Sequence, residues 1–492
     1  MPNKRDGQLS FSGVTETVGG IRAHLKNVTL ADIFDKRVAG FACILAWQFI
    51  TFFSTTIHYS TRNDISHFNS VVGFASLGMI AVMLLAAIVP SVFSRCMCIR
   101  AVRWAAPLLV LLSSIVLVAV EHVDDFQQPW CSIASTVAGV GVGALFVGWS
   151  KVFARMDSLQ VMAKSATSFL LSAVIFALVV ALPLAASIVC TVLLPLLSGL
   201  ALYHGLHIWS SKEAEESSNT PFRAGAFSIS AVLSLGVLAW TGSFAQALLF
   251  DPLFIIDNGS YPWFFIIGSV VAVVVICAPM LSSDSLDFAG AYRSSVFTMG
   301  LIFLLVPIVD SGTGIADALG LSIYCVVLLL TWVVLARITG LYQLPVLVTF
   351  GIGWSALVSG SLAGTFIGGL LRTFVDMTPR LLSVCTLVCV VLLFFAYLFL
   401  FTEKSMAKLL GGSSFGAKRP FHERGHQIAL DYGLTKREEE TMMLIAKGRT
   451  NARICEELGV TPGTVNSHLS NLYKKLDVHD RQEVIDLVEQ ND

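Results

Sequence analysis

Between Leu458 and Leu476 the chain carries no acidic side chain, and the stretch ends on the pair Lys474–Lys475. The neighbouring acids gather instead at Glu438–Glu440 and Glu456–Glu457. Thr461 followed by Pro462 reads as a helix start, a hydroxyl cap with proline at its favoured first position. At about 100° per residue, Val465, Leu469, Leu472 and Leu476 share one face and predict an inward stripe. The opposite side carries Gly463, Ser467, Ser470 and Lys474, flanked by Asn466 and Asn471, with Thr464, His468 and Lys475 further round. An acid-free helix face of small polar and cationic groups suits a polyanion. Ammonium groups neutralise phosphates, while amides and hydroxyls reach hydrogen-bonding edges.

Such a helix needs a frame. "LTKREEETMMLIAKG" opens on Thr435 with Glu438 three residues on, a capping box, and closes at Gly448. "TNARICEELG" (450–459) predicts a second helix, with Ile454, Cys455 and Leu458 inward and Gly459 as its stop. "DRQEVIDLVEQ" (480–490) predicts a last one with Val484, Ile485, Leu487 and Val488 apolar. Two helices joined by a short glycine-containing turn, the second exposing small polar and basic groups, make a helix-turn-helix.

From Leu434 onward the tail resembles the DNA-binding domain of LuxR-family regulators. Leu434, Thr435, Arg437 and Glu438 match the family's opening. Thr464, Val465 and His468 match the middle of its recognition helix, while Lys475, Leu476 and Arg481 match that helix's end and the start of the last helix. Many members carry Lys where this chain has Asn466, an amide suited to adenine. The resemblance implies double-stranded promoter DNA as a partner, with Asn466, Ser467 and Ser470 near base edges and Asn471 beside them. Lys474, Lys475, Thr464, Thr450 and Asn451 would hold phosphates. It also implies a homodimer through the last helix, with Val484 and Leu487 as contacts.

The remaining chain has a different character. Of 492 residues 55% are hydrophobic and 13% charged, well under the charge content of about a quarter found in soluble domains. Twelve apolar segments are each long enough to cross a hydrocarbon core as a helix: 38–60, 69–93, 101–120, 129–150, 161–184, 186–209, 224–250, 261–282, 294–312, 315–337, 345–371 and 380–402. The polar stretch "SSKEAEESSNTPFR" (210–223) splits them six and six. With the N-terminus inside, sixteen of the Lys/Arg before residue 403 fall inside and three, Arg62, Arg372 and Arg380, outside. The expectation is a bacterial cytoplasmic membrane protein with both termini in the cytoplasm.

This six-plus-six plan resembles the major facilitator superfamily. Members usually carry a Gly, an Asp and several Arg after their second helix. Here "SVFSRCMCIRAVRW" (91–104) keeps the arginines without the Gly and Asp.

Ionisable groups deep in a bilayer mark ion or proton pathways. His58, Lys164, Asp310 and Arg337 all fall near span ends, and mid-depth offers Ser, Thr, Gln48, Cys, Gly and aromatics such as Trp47. That inventory suits a neutral or apolar small molecule. Most of the ten cysteines lie in apolar runs as small hydrophobes, and Cys96-x-Cys98 lacks a second ligand pair, so no metal or cofactor is expected. "GVGVG" (139–143) and Gly360, Gly364 and Gly368 lack the strand-to-helix context of a phosphate cradle and read as close helix packing. No nucleophile, base and orienter assemble, so no enzyme is expected.

The expected architecture is all-α. Residues 1–37 are a cytoplasmic segment, 38–402 a twelve-span bundle, 403–432 a flexible linker and 433–492 a four-helix LuxR-type domain. The expected function is a membrane-bound one-component transcriptional regulator in which the bundle senses a small molecule. The alternative is a small-molecule transporter with a regulatory or protein-binding tail.

Overall fold

The computed structural model describes residues 35–54, 56–57, 65–120, 127–203, 229–249, 261–282, 288–308, 315–342, 344–376, 378–400, 428–429, 432–446, 448–476 and 478–489. Regular structure among these residues is entirely helical. The chain divides into two compact units, Met1–Gly412 and Ser413–Asp492.

The first unit contains α1 (Lys36–Phe53), α2 (Ile65–Ile88), α3 (Pro90–Cys98), α4 (Arg100–Val120), α5 (Gln127–Phe153), α6 (Ser158–Val180) and α7 (Leu184–Tyr203). It continues with α8 (Ile229–Leu249), α9 (Tyr261–Ser282), α10 (Phe288–Leu305), α11 (Ile315–Tyr342), α12 (Val346–Phe374) and α13 (Pro379–Phe395), which ends in a π-helical turn at Ala396–Leu400. Among the described residues, eleven of these helices are long and apolar enough to cross a membrane, and α9 contributes the shorter apolar stretch Trp263–Pro279. Each of the twelve apolar segments overlaps one of these helices. This is a multi-pass membrane protein.

Some boundaries differ from the hydropathy reading. The second apolar segment extends to residue 93, but α2 ends at Ile88 and Pro90 starts the separate α3. Proline has no N–H to continue a helix and suits a first turn. Helix α1 stops at Phe53, where the Ser54 hydroxyl donates to the Ile50 carbonyl at 2.6 Å. His58, Asp310 and the 210–223 connection lie outside the described residues.

The two halves repeat one packing plan. In the first, α2 packs on α5, α4 on α5, α1 on α6, α1 on α7 and α4 on α7. The second repeats these pairs among its own six helices: α9 with α11, α10 with α11, α8 with α12, α8 with α13 and α10 with α13. The halves meet through α2 against α12 and α6 against α9.

Glycine permits the closest of these approaches. Lipid tails are as apolar as leucine, so helix association in a membrane depends on backbone proximity and dispersion. A Cβ on Gly139 of α5 would sit 2.8 Å from the Ala75 carbonyl carbon of α2. One on Gly364 of α12 would sit 2.5 Å from the Trp240 carbonyl oxygen of α8. Gly360 and Gly368 meet the same helix, at Gly236 and at Ala247 and Phe244. Both glycine patterns are helix-packing seams.

One end of the bundle is closed by aromatic rings from both halves. Phe41 stacks on Trp332 with centroids 4.4 Å apart, and Trp332 meets Trp354 edge-on at 5.5 Å. Phe146, Phe153 and Phe350 surround Trp332. At this end Asp35 caps α1, accepting from the backbone N–H of Arg37 and Val38, and pairs with Lys164 of α6. A lysine near a span end is thereby neutralised.

The second unit holds α14 (Lys436–Ala446), α15 (Asn451–Leu458), α16 (Pro462–Leu476) and α17 (Arg481–Glu489). Its core joins Met442, Met443 and Ile445 of α14, Ile454 of α15, the α16 stripe Val465, Leu469, Leu472 and Leu476, and Val484 of α17. Ile428 also belongs to this core. Sequence alone assigns it to the flexible linker, because the short apolar run Ile428–Leu430 between polar residues gives no helical period. Residues 403–427 lie outside the described set.

Candidate functional site

The tail builds its exposed surface from local rules. Thr450 caps α15, its side chain accepting from the Arg453 N–H, and Gly459 ends the helix in the left-handed region at φ 66°. A residue with a Cβ is strained there, so glycine makes the turn into α16. At the start of α16 the Thr461 and Thr464 hydroxyls are 2.9 Å apart, and the Thr464 N–H points to Thr461 Oγ1 at 3.4 Å. Helix α16 packs on α14 and α15, which fixes which side faces outward.

The outward side holds most of the residues expected there. Gly463, Thr464, Asn466, Ser467, Ser470, Asn471 and Lys474 are exposed, and His468 is half-buried. Thr450 and Asn451 are exposed at the start of α15. The side-chain oxygen of Asn451 accepts from Arg481 Nη1 at 3.1 Å, and Arg481 Nη2 donates to the Arg449 carbonyl. Arg481 therefore ties the start of α17 to the start of α15. Its place after the Lys-Leu ending is visible in the sequence, but the cross-helix role is not.

Lys475 lies elsewhere. Its ammonium donates to Glu438 Oε2 at 2.7 Å and to the Gly433 carbonyl at 3.1 Å. The same Glu438 oxygen accepts the Thr435 backbone N–H at 2.7 Å and its hydroxyl at 2.8 Å, so the capping box forms with a cation added. One residue of helical rotation separates Lys474, facing out, from Lys475, facing the α14 cap. Sequence spacing alone could not show which of the two α14 occupies.

Burial pushes the Glu438 carboxyl up, but the bonds from Lys475 and Thr435 outweigh it and hold the group at about 2. Its ordinary value is 4.5, so the folded pKa is depressed. The stability it contributes is full above the unfolded value and lost as pH falls through the folded one. Thermal melts of residues 413–492 are expected to lose stability progressively from about pH 4.5 toward pH 2. In Glu438→Gln the melting temperature should be lower at pH 7 and flatter across that window. An unchanged acid limb would contradict this account.

The last helix corrects one expectation. Val484, expected at a dimer contact, is fully buried in the tail's own core. Four short helices cannot enclose a core without a contribution from the last, and Val484 is that contribution. The Leu487 side chain lies outside the described residues.

The membrane unit contains a cavity of about 870 Å³, which no single segment announces. It is lined from α1 by Trp47 and Gln48, from α8 by Gln246, from α11 by Tyr324, and from α12 by Trp354 and Arg372. Trp47 is held by donating Nε1–H to Ser114 Oγ of α4 at 3.0 Å. Trp354 belongs both to the lining and to the aromatic closure, so the closure floors the cavity. Its rim carries Ser70, Phe52 and Thr373, residues at the opposite ends of their helices from that closure. Of the ionisable residues singled out in the sequence, Lys164 pairs with Asp35, and Arg337 lies over the Phe288 ring at 5.3 Å; neither lines the cavity.

Comparison with known proteins addresses the two units separately. Residues 433–488 match the family "Bacterial regulatory proteins, luxR family". The transcriptional regulatory protein LiaR of Bacillus subtilis (strain 168) is 56% identical over 48 residues, 10% of this chain and 23% of that protein. The response regulator protein VraR of Staphylococcus aureus (strain Mu3 / ATCC 700698) is 44% identical over 52 residues, 11% of this chain and 25% of its own length. The chain thus spans about a quarter of these relatives, all of it in the tail. The membrane unit superposes on an outward-facing bacterial homologue of the iron transporter ferroportin, with TM-score 0.52 and 11% identity over 78% of this chain and 99% of the other. The human organic anion transporter MFSD10 matches with TM-score 0.52 and 14% identity over 74% of this chain and 97% of its own. At such identity the likeness is one of fold. The chain carries a LuxR-type helix-turn-helix DNA-binding domain at its C-terminus, behind a membrane bundle with a major-facilitator-like fold.

Proposed function

We propose that this chain is a one-component transcriptional regulator held in the bacterial cytoplasmic membrane, with both termini in the cytoplasm. The bundle takes a small molecule and the tail binds promoter DNA. The observation that carries this reading is the exposed, acid-free side of α16 on a folded LuxR-type domain. Asn466, Ser467, Ser470 and Asn471 approach base edges, while Lys474, Thr464 and Thr450 contact phosphates. Asn451 joins them through its amide N–H, its oxygen being held by Arg481. Lys475 supports the recognition helix from behind.

The ligand is neutral or apolar, since Trp47, Tyr324 and Trp354 supply aromatic surface, Gln48 and Gln246 supply amides, and Arg372 is the one charged group among the described lining residues. A ligand that prefers one arrangement of the two halves shifts the population between them. The stretch after residue 403 tethers the tail, so the shift acts through pairing of tails in a homodimer or through their release. A differential of about 3 kcal/mol changes affinity about 150-fold.

The test is crosslinking and sequencing of DNA bound to the full-length protein in its own cells. A few sharp promoter peaks, lost in the Asn466→Ala, Lys474→Glu double variant, are expected. No enrichment across growth conditions would overturn the reading. The cavity favours a second one, a transporter with a regulatory tail. Substrate flux into vesicles that is unchanged by deleting 403–492 would support that instead.

A further inference from the structure

We propose that the seam between α4 and α7, at the end of the bundle where α4 begins, binds the phosphate of an anionic phospholipid through Arg103 and Tyr203. The two helices run antiparallel and pack closely, for a Cβ on Gly199 of α7 would lie 2.7 Å from the Pro107 ring of α4. One helical turn from these contacts toward the helix ends lie Arg103 of α4 and Tyr203 of α7. Trp104 packs against Tyr203 with centroids 5.8 Å apart at 66°. Arg103 Nε and the Tyr203 hydroxyl are buried without a hydrogen-bond partner among the described residues. Two orphaned donors on adjacent helices are a costly arrangement where no water reaches them. A phosphate group presents several oxygen acceptors to such donors.

Three features select a lipid as the source of that acceptor. Arg95 and Arg100 are exposed at the same end, and no Asp or Glu occurs from residue 65 to residue 120. This concentrates positive charge at headgroup level, where basic pockets between helices recognise anionic lipids. From that end an exposed apolar row runs along each helix, Leu108 and Leu112 on α4 and Leu200, Leu197 and Leu193 on α7, as acyl chains require. Guanidinium and phosphate also match as a planar fork to a tetrahedral anion. Helix α3 has the form of an interfacial segment, with Val92 and Arg95 both exposed.

The test uses the full-length protein in detergent, with native mass spectrometry after incubation with phosphatidylglycerol, phosphatidylcholine or inorganic phosphate. Phosphatidylglycerol should remain bound well in excess of phosphatidylcholine, and millimolar phosphate should not displace it. Arg103→Gln should lower its retention about tenfold, and Tyr203→Phe severalfold. The Tyr203→Phe change removes one oxygen atom and keeps the packing, so it reads the site even if Arg103→Gln folds poorly. Equal retention in wild type and Tyr203→Phe would overturn the site. Equal retention of the two lipids would overturn the anionic preference, and displacement by inorganic phosphate would make it a free-anion site.

Discussion

DNA affinity of the full-length protein is expected to fall between roughly ten- and a hundredfold in Lys474→Glu, with the tail still folded. Lys474 is exposed in the last turn of the proposed recognition helix, so reversing it replaces a phosphate attraction with a repulsion at no cost to the core. The loss should be similar for specific and unrelated sequences, and the slope of log affinity against log salt should become shallower by about one. Lys475→Gln is the informative contrast. It leaves Glu438, 5% exposed, without its cation and should destabilise the tail by about 2 kcal/mol. Titrations across salt, paired with thermal melts, separate the two. If Lys475→Gln weakens binding in a fully folded tail as much as Lys474→Glu does, the assignment of the two lysines is reversed.

The second large effect is in the bundle. Gly139→Val is expected to abolish recovery of a monodisperse membrane protein. Its Cβ would sit 2.8 Å from the Ala75 carbonyl carbon and 3.0 Å from the Ala75 Cα, and backbone cannot move aside as a side-chain tip can. Overpacking of a core already costs about 1–3 kcal/mol, and separating α2 from α5 also opens the seam that Gly143 and Gly78 share. Gly73→Ala is the control, since a Cβ there meets only Leu362 Cδ1 at 3.8 Å, an ordinary contact. Fluorescence-detected gel filtration should show a normal peak for Gly73→Ala and an aggregate for Gly139→Val. A normal peak for both would mean that the seam is looser than its geometry implies.

Much of this molecule is legible before any coordinates. Apolar run length marks the eleven described helices long and apolar enough to cross a membrane, and the shorter apolar stretch of α9, because a helix must satisfy its own backbone within hydrocarbon. The period of Val465, Leu469, Leu472 and Leu476 places the inward face of α16, and all four are buried. Thr435 and Glu438 announce their capping box by spacing alone. Such features depend on neighbours within about one helical turn, so the sequence contains them whole.

Other features depend on which helix comes to lie beside which. Lys474 and Lys475 are equivalent in composition, and only the packing of α16 on α14 turns one outward and draws the other onto Glu438. Val484 has the profile of an exposed apolar contact until α17 closes over the core of the tail. Arg481 and Asn451 meet across 30 residues, and Trp104 and Tyr203 across two helices of the bundle. The cavity gathers Trp47, Gln246, Tyr324 and Trp354 from four helices with no common motif. The sequence by itself determined the membrane helices, the helix-turn-helix and its polar face, because periodicity and capping are local. Tertiary structure decided which polar groups are taken, which are orphaned and where space is left, because those depend on contacts between segments distant in the chain.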